Sequence, residues 1–276
     1  MANETLPARA TQSAQSTAGK LSVPAAFWCL LLAACVLRGA GLDRPLLGHF
    51  ASKSTLYGMI ARNWARGLAP AWQPTVDCIV GGQRGVHMVE FPVAAYVAAA
   101  GWRLAGGSLD VWGRCVTAAC SVAGVALMVW LVRRWHGSQA ALAAGWMLAL
   151  SPVSIIYGQS FMLEASIVLF TLATLAAWER WLATTGRLWL ALAAACYGLL
   201  LLTKVYMLVL LLPMIAQAVS AGILRRKRST LLGLLAILAA MLPAAVAAGA
   251  MAICARIFRR RLKPRDPPSG HWVYHI

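Results

Sequence analysis

A chain of 276 residues that is 61% hydrophobic and only 12% charged falls outside the range of soluble globular domains, which are nearer one half apolar and one quarter charged. Its mean hydropathy of +0.69 points to a membrane protein. The net charge of +17 argues against nucleic acid as a partner, because no soluble basic domain is present to carry the 25 Lys and Arg. Anionic headgroups and phosphates are the natural partners of such charge, and part of it serves to set topology. The seven cysteines lack metal-ligand spacing and lie mostly inside apolar runs, so they read as packing residues rather than a disulfide framework.

Taken in order, residues 1–21 are polar and read as a cytoplasmic tail before an uncleaved first span at roughly Leu21–Gly41. Later apolar runs fall at about 111–132, 138–156, 162–182, 187–203, 205–223 and 230–256, so an all-α integral membrane core of about seven transmembrane helices is expected over 22–256. The separators are short: RRWHG at 133–137, SPVSIIYGQ at 151–159, ERWLATTGR at 179–187, Thr203-Lys204, and RRKR at 225–228. With a cytoplasmic N-terminus, the basic separators fall inside. The loop 38–110, the 151–159 turn and Lys204 fall outside, as the positive-inside bias requires for short loops.

That topology holds only if Phe91–Leu104 does not cross. About 14 residues after Pro92, ending with Arg103, suit an interfacial helix better than a span. Ser54–Arg66 is its expected companion, with Leu56, Met59, Ile60 and Trp64 at helical spacing. The loop between the first two spans holds Asp43, Asp77, Glu90 and Asp110, half of the chain's acids. A long polar loop on a rigid bundle is where chemistry is expected. The tail at 257–276 is basic, contains prolines and falls outside on this count, against the charge bias.

From Leu42 to about Pro213 four short segments occur in order. They are Lys53-Ser54-Thr55-Leu56-Tyr57 running on to Arg62; Glu90-Phe91-Pro92; Ser151-Pro152 through Tyr157 with Leu163-Glu164; and Thr203-Lys204-Val205. In this order the chain resembles the polyprenyl-phosphate-sugar-dependent glycosyltransferases of the GT-C fold, nearest to the protein O-mannosyltransferases and lipid A aminoarabinose transferases. The corresponding family segments are Asp-Glu with a following Tyr and Arg, Glu-Lys-Pro, a turn with Tyr and Leu-Asp, and Thr-Lys-Gly. The departure is at Lys53 and Ser54, which stand where the family has its acidic pair. The resemblance implies the N-terminal conserved core of the family, with the tail at 257–276 as the start of a truncated second external loop.

What the resemblance implies for the site is a carboxylate that takes the acceptor's proton and basic groups that stabilise the departing polyprenyl phosphate. Asp43, just past the first span, is the substitute for the missing acid, with a turn residue paired to Arg44 as the equal alternative. His49 is a second candidate base. Glu90 matches the family's acid at its position and would bind sugar or metal, or else favour the helix N-terminus electrostatically. Lys204 is the natural partner for a lipid phosphate. Glu164 would position the sugar, pair with a loop Arg, or tie two helices through Lys204, since ionisable groups at apolar spans are costly and usually functional. Arg62 would face phosphate or snorkel; Tyr57, Tyr157 and Gln159 would contact substrate or simply pack. No cofactor is firmly implied, and a divalent ion is left open. Two rivals remain to transfer from a polyprenyl-phosphate donor onto a lipid, glycan or protein acceptor: an inactive relative that binds lipid carrier or a partner protein, and a transporter, against which stands the lack of an internal repeat.

Overall fold

The computed structural model describes residues 23–46, 50–70, 72–80, 83–87 and 90–220. The tail at 1–21, His49, the RRKR separator, the run at 230–256, the end of the run at 205–223 and the basic tail at 257–276 lie outside the described residues.

Helix α1 (Val23–Gly39) opens with Pro24, whose missing N–H and fixed φ suit a first helical turn. After the turn at 40–46, α2 (Ala51–Ala65) and α3 (Val93–Ala105) form the two short helices expected in the first loop. They pack closely because α3 turns Ala94, Ala95, Ala98 and Ala99 inward, all buried, against Tyr57, Ile60 and Ala61 of α2. Small side chains at this spacing let two helices approach.

Between α2 and α3 the loop forms an antiparallel hairpin that the all-helical expectation did not contain. Strands β1 (Thr75–Val80) and β2 (Gln83–Val86) pair Thr75 with Val86 and Val80 with Gln83, with an irregularity between Val76 and Ile79. The local signal was present in the sequence: β-branched residues up to Val80, then Gly81-Gly82, then a second short run.

Helix α4 (Leu109–Leu150) is two arms joined at Gly137, whose φ of 83° is open to glycine at no steric cost. The arms run back along each other. Ser121 and Leu148 line one cleft, and a Cβ at Gly145 would overlap Val129 and Leu30. The second arm ends sooner than the expected run at 138–156. Ser151 caps the next helix through its hydroxyl, and Pro152 cannot continue the previous one, so α5 (Pro152–Gln159) begins afresh.

Helices α6 (Glu164–Thr184) and α7 (Arg187–Thr203) then pair side by side. A 3-10 turn (Val205–Leu210) follows and leads into α8 (Leu211–Ser220), held by the Trp178 indole donating to the Met214 carbonyl at 3.1 Å. Two of the described helices, α4 and α6, are long and apolar enough to cross a membrane; α1, α3, α7 and the segment Val205–Ser220 are shorter apolar helices.

The bundle is tied where α1 ends. Arg38 is fully buried and donates from Nε to Ser121 Oγ at 2.6 Å, from one terminal nitrogen to the Ala149 carbonyl at 3.1 Å, and from the other to Ser154 Oγ at 2.8 Å. It also reaches the Leu148 carbonyl at 3.4 Å. Its charge is met by the negative end of the second arm of α4, whose last carbonyls have no intrahelical partners. Arg114 makes a second tie, donating to the carbonyls of Arg44, Pro45 and Gln159 at 3.0, 2.8 and 2.7 Å, and so anchors the start of the loop.

Candidate active site

The segment just before α3 is fixed to the end of α7 by one backbone bond, Phe91 N–H to the Leu202 carbonyl at 3.2 Å. That bond brings Glu90 to Lys204, two residues beyond. The two side chains form an ion pair, both largely withdrawn from solvent. The other oxygen of Glu90 accepts a hydrogen bond from the Tyr57 hydroxyl of α2. A buried carboxylate is tolerable only when paired and hydrogen-bonded, and this one is both. Burial, and then the nearby Glu164 charge, push the Tyr57 phenol well above its usual range, so it remains a donor.

A second pair lies alongside. Lys53 of α2 reaches Glu164, the first residue of α6, at 3.7 Å. Glu164 sits where an acid is favoured by the helix dipole. Its other oxygen, Oε2, is buried and has no hydrogen-bond partner among the described residues. His87 joins from the end of the hairpin, its backbone N–H fixed on the Pro74 carbonyl at 2.7 Å. Burial first, then the charges of Lys204 and Lys53, hold its imidazole below the ordinary value, so it is neutral at neutral pH. The hairpin, α2, α6 and the α7 turn thus converge on two carboxylates, two ammonium groups and a neutral imidazole.

The structure brings together here four residues singled out from the sequence, Glu90, Lys204, Tyr57 and Glu164. The ion pair considered between Glu164 and Lys204 is not formed; each takes a different partner. Lys53, noted as a departure from the family, turns out to neutralise Glu164, and His87 was missed altogether. The remaining signal for His87 was its place three residues before Glu90 in the same loop.

Other candidates lie elsewhere. Arg62 pairs with Asp77 of β1, and Asn63 Nδ2 donates to the same carboxylate at 3.0 Å. Arg62 falls on the face of α2 opposite Lys53 and Tyr57, where with Arg66, Trp102 and Asp110 it lines a separate cleft of about 370 Å³. Asp43 is exposed in the turn after α1, with no hydrogen bond or ion pair to the cluster among the described residues, and no pairing with Arg44. Gln159 donates to the Leu37 carbonyl at 2.7 Å, and Tyr157 stacks on Phe50 with centroids 5.4 Å apart. No three His, Cys, Asp or Glu come together as a cation site among the described residues. Glu90, the acid considered for a metal, is already held by Lys204 and Tyr57, so the residues present do not fit a metal ion there.

Residues 89–248, more than half of the chain, match the family model of the dolichyl-phosphate-mannose-protein mannosyltransferases. The chain belongs to this family. It is a GT-C-type glycosyltransferase relative and a membrane protein, and the family uses polyprenyl-phosphate sugar donors. The match begins just before Glu90 and includes Glu164 and Lys204, but not Lys53 or Tyr57. No curated protein and no solved structure gives a significant match.

Proposed function

We propose that this chain transfers a sugar from a polyprenyl-phosphate donor to an acceptor hydroxyl, on the external face of a bacterial-type cell membrane. In this reading the helices from α1 onward form the N-terminal part of a seven-span core. The observation that carries it is the buried Glu90–Lys204 pair with its Tyr57 hydrogen bond, set at the loop end of the bundle.

An ammonium group has three donors, and Glu90 engages one side of Lys204. The others are available to a phosphate, with Lys53 as the second cation. Charge developing on the leaving phosphate would be met by groups already in place, which is where electrostatic catalysis is strongest. Glu90 and Tyr57 position Lys204, while a carboxylate with a free oxygen takes the acceptor's proton. Asp43 was the sequence's substitute for that base; Glu164, with Oε2 unpartnered, meets the requirement better.

Purified protein in lipid nanodiscs, given a polyprenyl-phosphate sugar, should transfer the sugar, and Lys204→Ala should lower transfer by about 100-fold or more. Transfer unchanged in Lys204→Ala would overturn the assignment. A second reading rests on Lys53 and Ser54, which stand where the family has acids: a relative that holds the lipid carrier without turning it over. Donor binding with no product from the wild type would favour it.

A further inference from the structure

Beside Glu164 lies a cleft of about 210 Å³ between α4, α5 and α6, whose lining includes the polar Ser121, Ser151, Ser154 and Tyr157 and the apolar Leu148 and Val168. We propose that this cleft is the acceptor subsite, and that it takes the neutral, hydroxyl-bearing end of an amphiphile. The inference rests on the glycosyl-transfer reading above and adds to it the class of acceptor.

Three features carry it. Ser121 Oγ and Ser154 Oγ both accept from the buried Arg38 guanidinium, at 2.6 and 2.8 Å. A hydroxyl that accepts still has its own proton to give, and neither of these donates to a described acceptor. The cleft therefore holds two oriented O–H donors whose positions are fixed from beneath. Second, Glu164 lines the cleft and its Oε2 is a buried acceptor with no hydrogen-bond partner among the described residues. Such an atom is costly to leave unsatisfied, and a ligand O–H relieves it. Third, the lining also includes Leu148, Val153 and Val168, and the two valines are exposed on the bundle surface, so an alkyl chain can leave sideways along the helices.

Charge decides between headgroups. A phosphate placed against Glu164 Oε2 would meet a like charge at close range, whereas a neutral hydroxyl meets an acceptor. The volume suits a small head or a single ring, not a protein segment. In the transfer step the acceptor oxygen forms its bond to the anomeric carbon as the bond from that carbon to the phosphate oxygen breaks. The phosphate leaves with the electron pair. The acceptor's proton passes to Glu164 Oε2.

The test uses the full chain in nanodiscs with two probes of equal tail length, dioctanoylglycerol and dioctanoyl phosphatidic acid, each followed by thermal shift. Donor binding is followed separately with the polyprenyl-phosphate sugar. The neutral probe should bind and the anionic one should not. Val168→Phe, which fills the cleft, should weaken the neutral probe by about tenfold or more and Glu164→Gln by about tenfold. Lys204→Ala should weaken the donor without moving the probe. Neutral-probe binding that ignores Val168→Phe and Glu164→Gln, or a preference for phosphatidic acid, overturns the subsite. Failure of Lys204→Ala to affect the donor overturns the transfer reading instead, so the two outcomes are separable. Melting of each variant without probe shows whether it is folded.

Discussion

The two ends of the helical bundle use the same residue types and do different things with them. At the loop end, Glu90–Lys204 is buried, and Glu164–Lys53 leaves a carboxylate oxygen with no hydrogen-bond partner among the described residues. At the other end, Arg134 reaches Glu179 at 3.5 Å with both side chains partly exposed, and Arg180 lies over the rings of Trp130 and Trp189 at 5.1 and 5.8 Å. The remaining basic groups at that end, Arg133 and Arg187, are exposed, and solvent screens them. A buried acceptor left without a described partner at one end, against solvent-screened charges at the other, is the difference on which the proposed site rests.

The comparison breaks most visibly at Lys204. Lys204→Ala leaves Glu90 buried with only Tyr57, and removal of one partner of such a pair costs about 3 to 5 kcal/mol. Glu90→Gln together with Lys204→Gln should recover most of that stability in thermal melts while transfer stays lost. Recovery of transfer in the double variant would show the pair to be a fastening like the one at the far end.

Next in size is the pair at Lys53. Lys53→Glu places two acids together and should lower both transfer and melting temperature, and adding Glu164→Lys should restore the melting temperature. Because Lys53 is about half exposed, the stability change is modest, about 1 kcal/mol or less. Melting that fails to recover in the double variant would mean the two side chains do not interact.

A pH series sharpens the contrast further. His87 is neutral in the fold, with its proton affinity below that of the unfolded chain, so the folded state binds fewer protons. The stability it contributes is present above about pH 6.5 and is lost as pH falls from there to the depressed folded value. Charging it also sets a third cation beside Lys204 and Lys53. Transfer should therefore decline on the acid side, and His87→Gln should flatten that limb; an unchanged limb in the variant would remove His87 from the cluster.

The smallest effect belongs to the far end. Glu179→Gln should change stability by less than about 1 kcal/mol and leave transfer within about twofold. A larger loss of transfer would tie the two ends together.

Sequence reading was strongest where apolar runs are long and breaks abrupt. Thr203-Lys204 marked the end of α7, Pro92 the entry to α3, and the helical spacing of Leu56, Met59, Ile60 and Trp64 the face of α2. It was weakest where partners come from distant segments. Nothing near Lys53 announces Glu164, 111 residues away, and the hydrogen bond from Phe91 to Leu202 that places Glu90 has no local signature. The hairpin escaped for another reason: strands of six and four residues hold together through pairing, and composition within a polar loop carries little of that. Gly137 was visible as a separator, but not as the single left-handed residue that reverses the chain.

Arg38 sets an order of assembly. Its acceptors at Leu148, Ala149 and Ser154 lie 110, 111 and 116 residues further along the chain. While the polypeptide is being made, Arg38 has within α1 only the Ala34 carbonyl at 3.4 Å, and its full set of acceptors exists once both arms of α4 and the start of α5 have emerged. The first of the described helices is therefore fully seated only after α4 and the start of α5, and its docking reports that these are already in place.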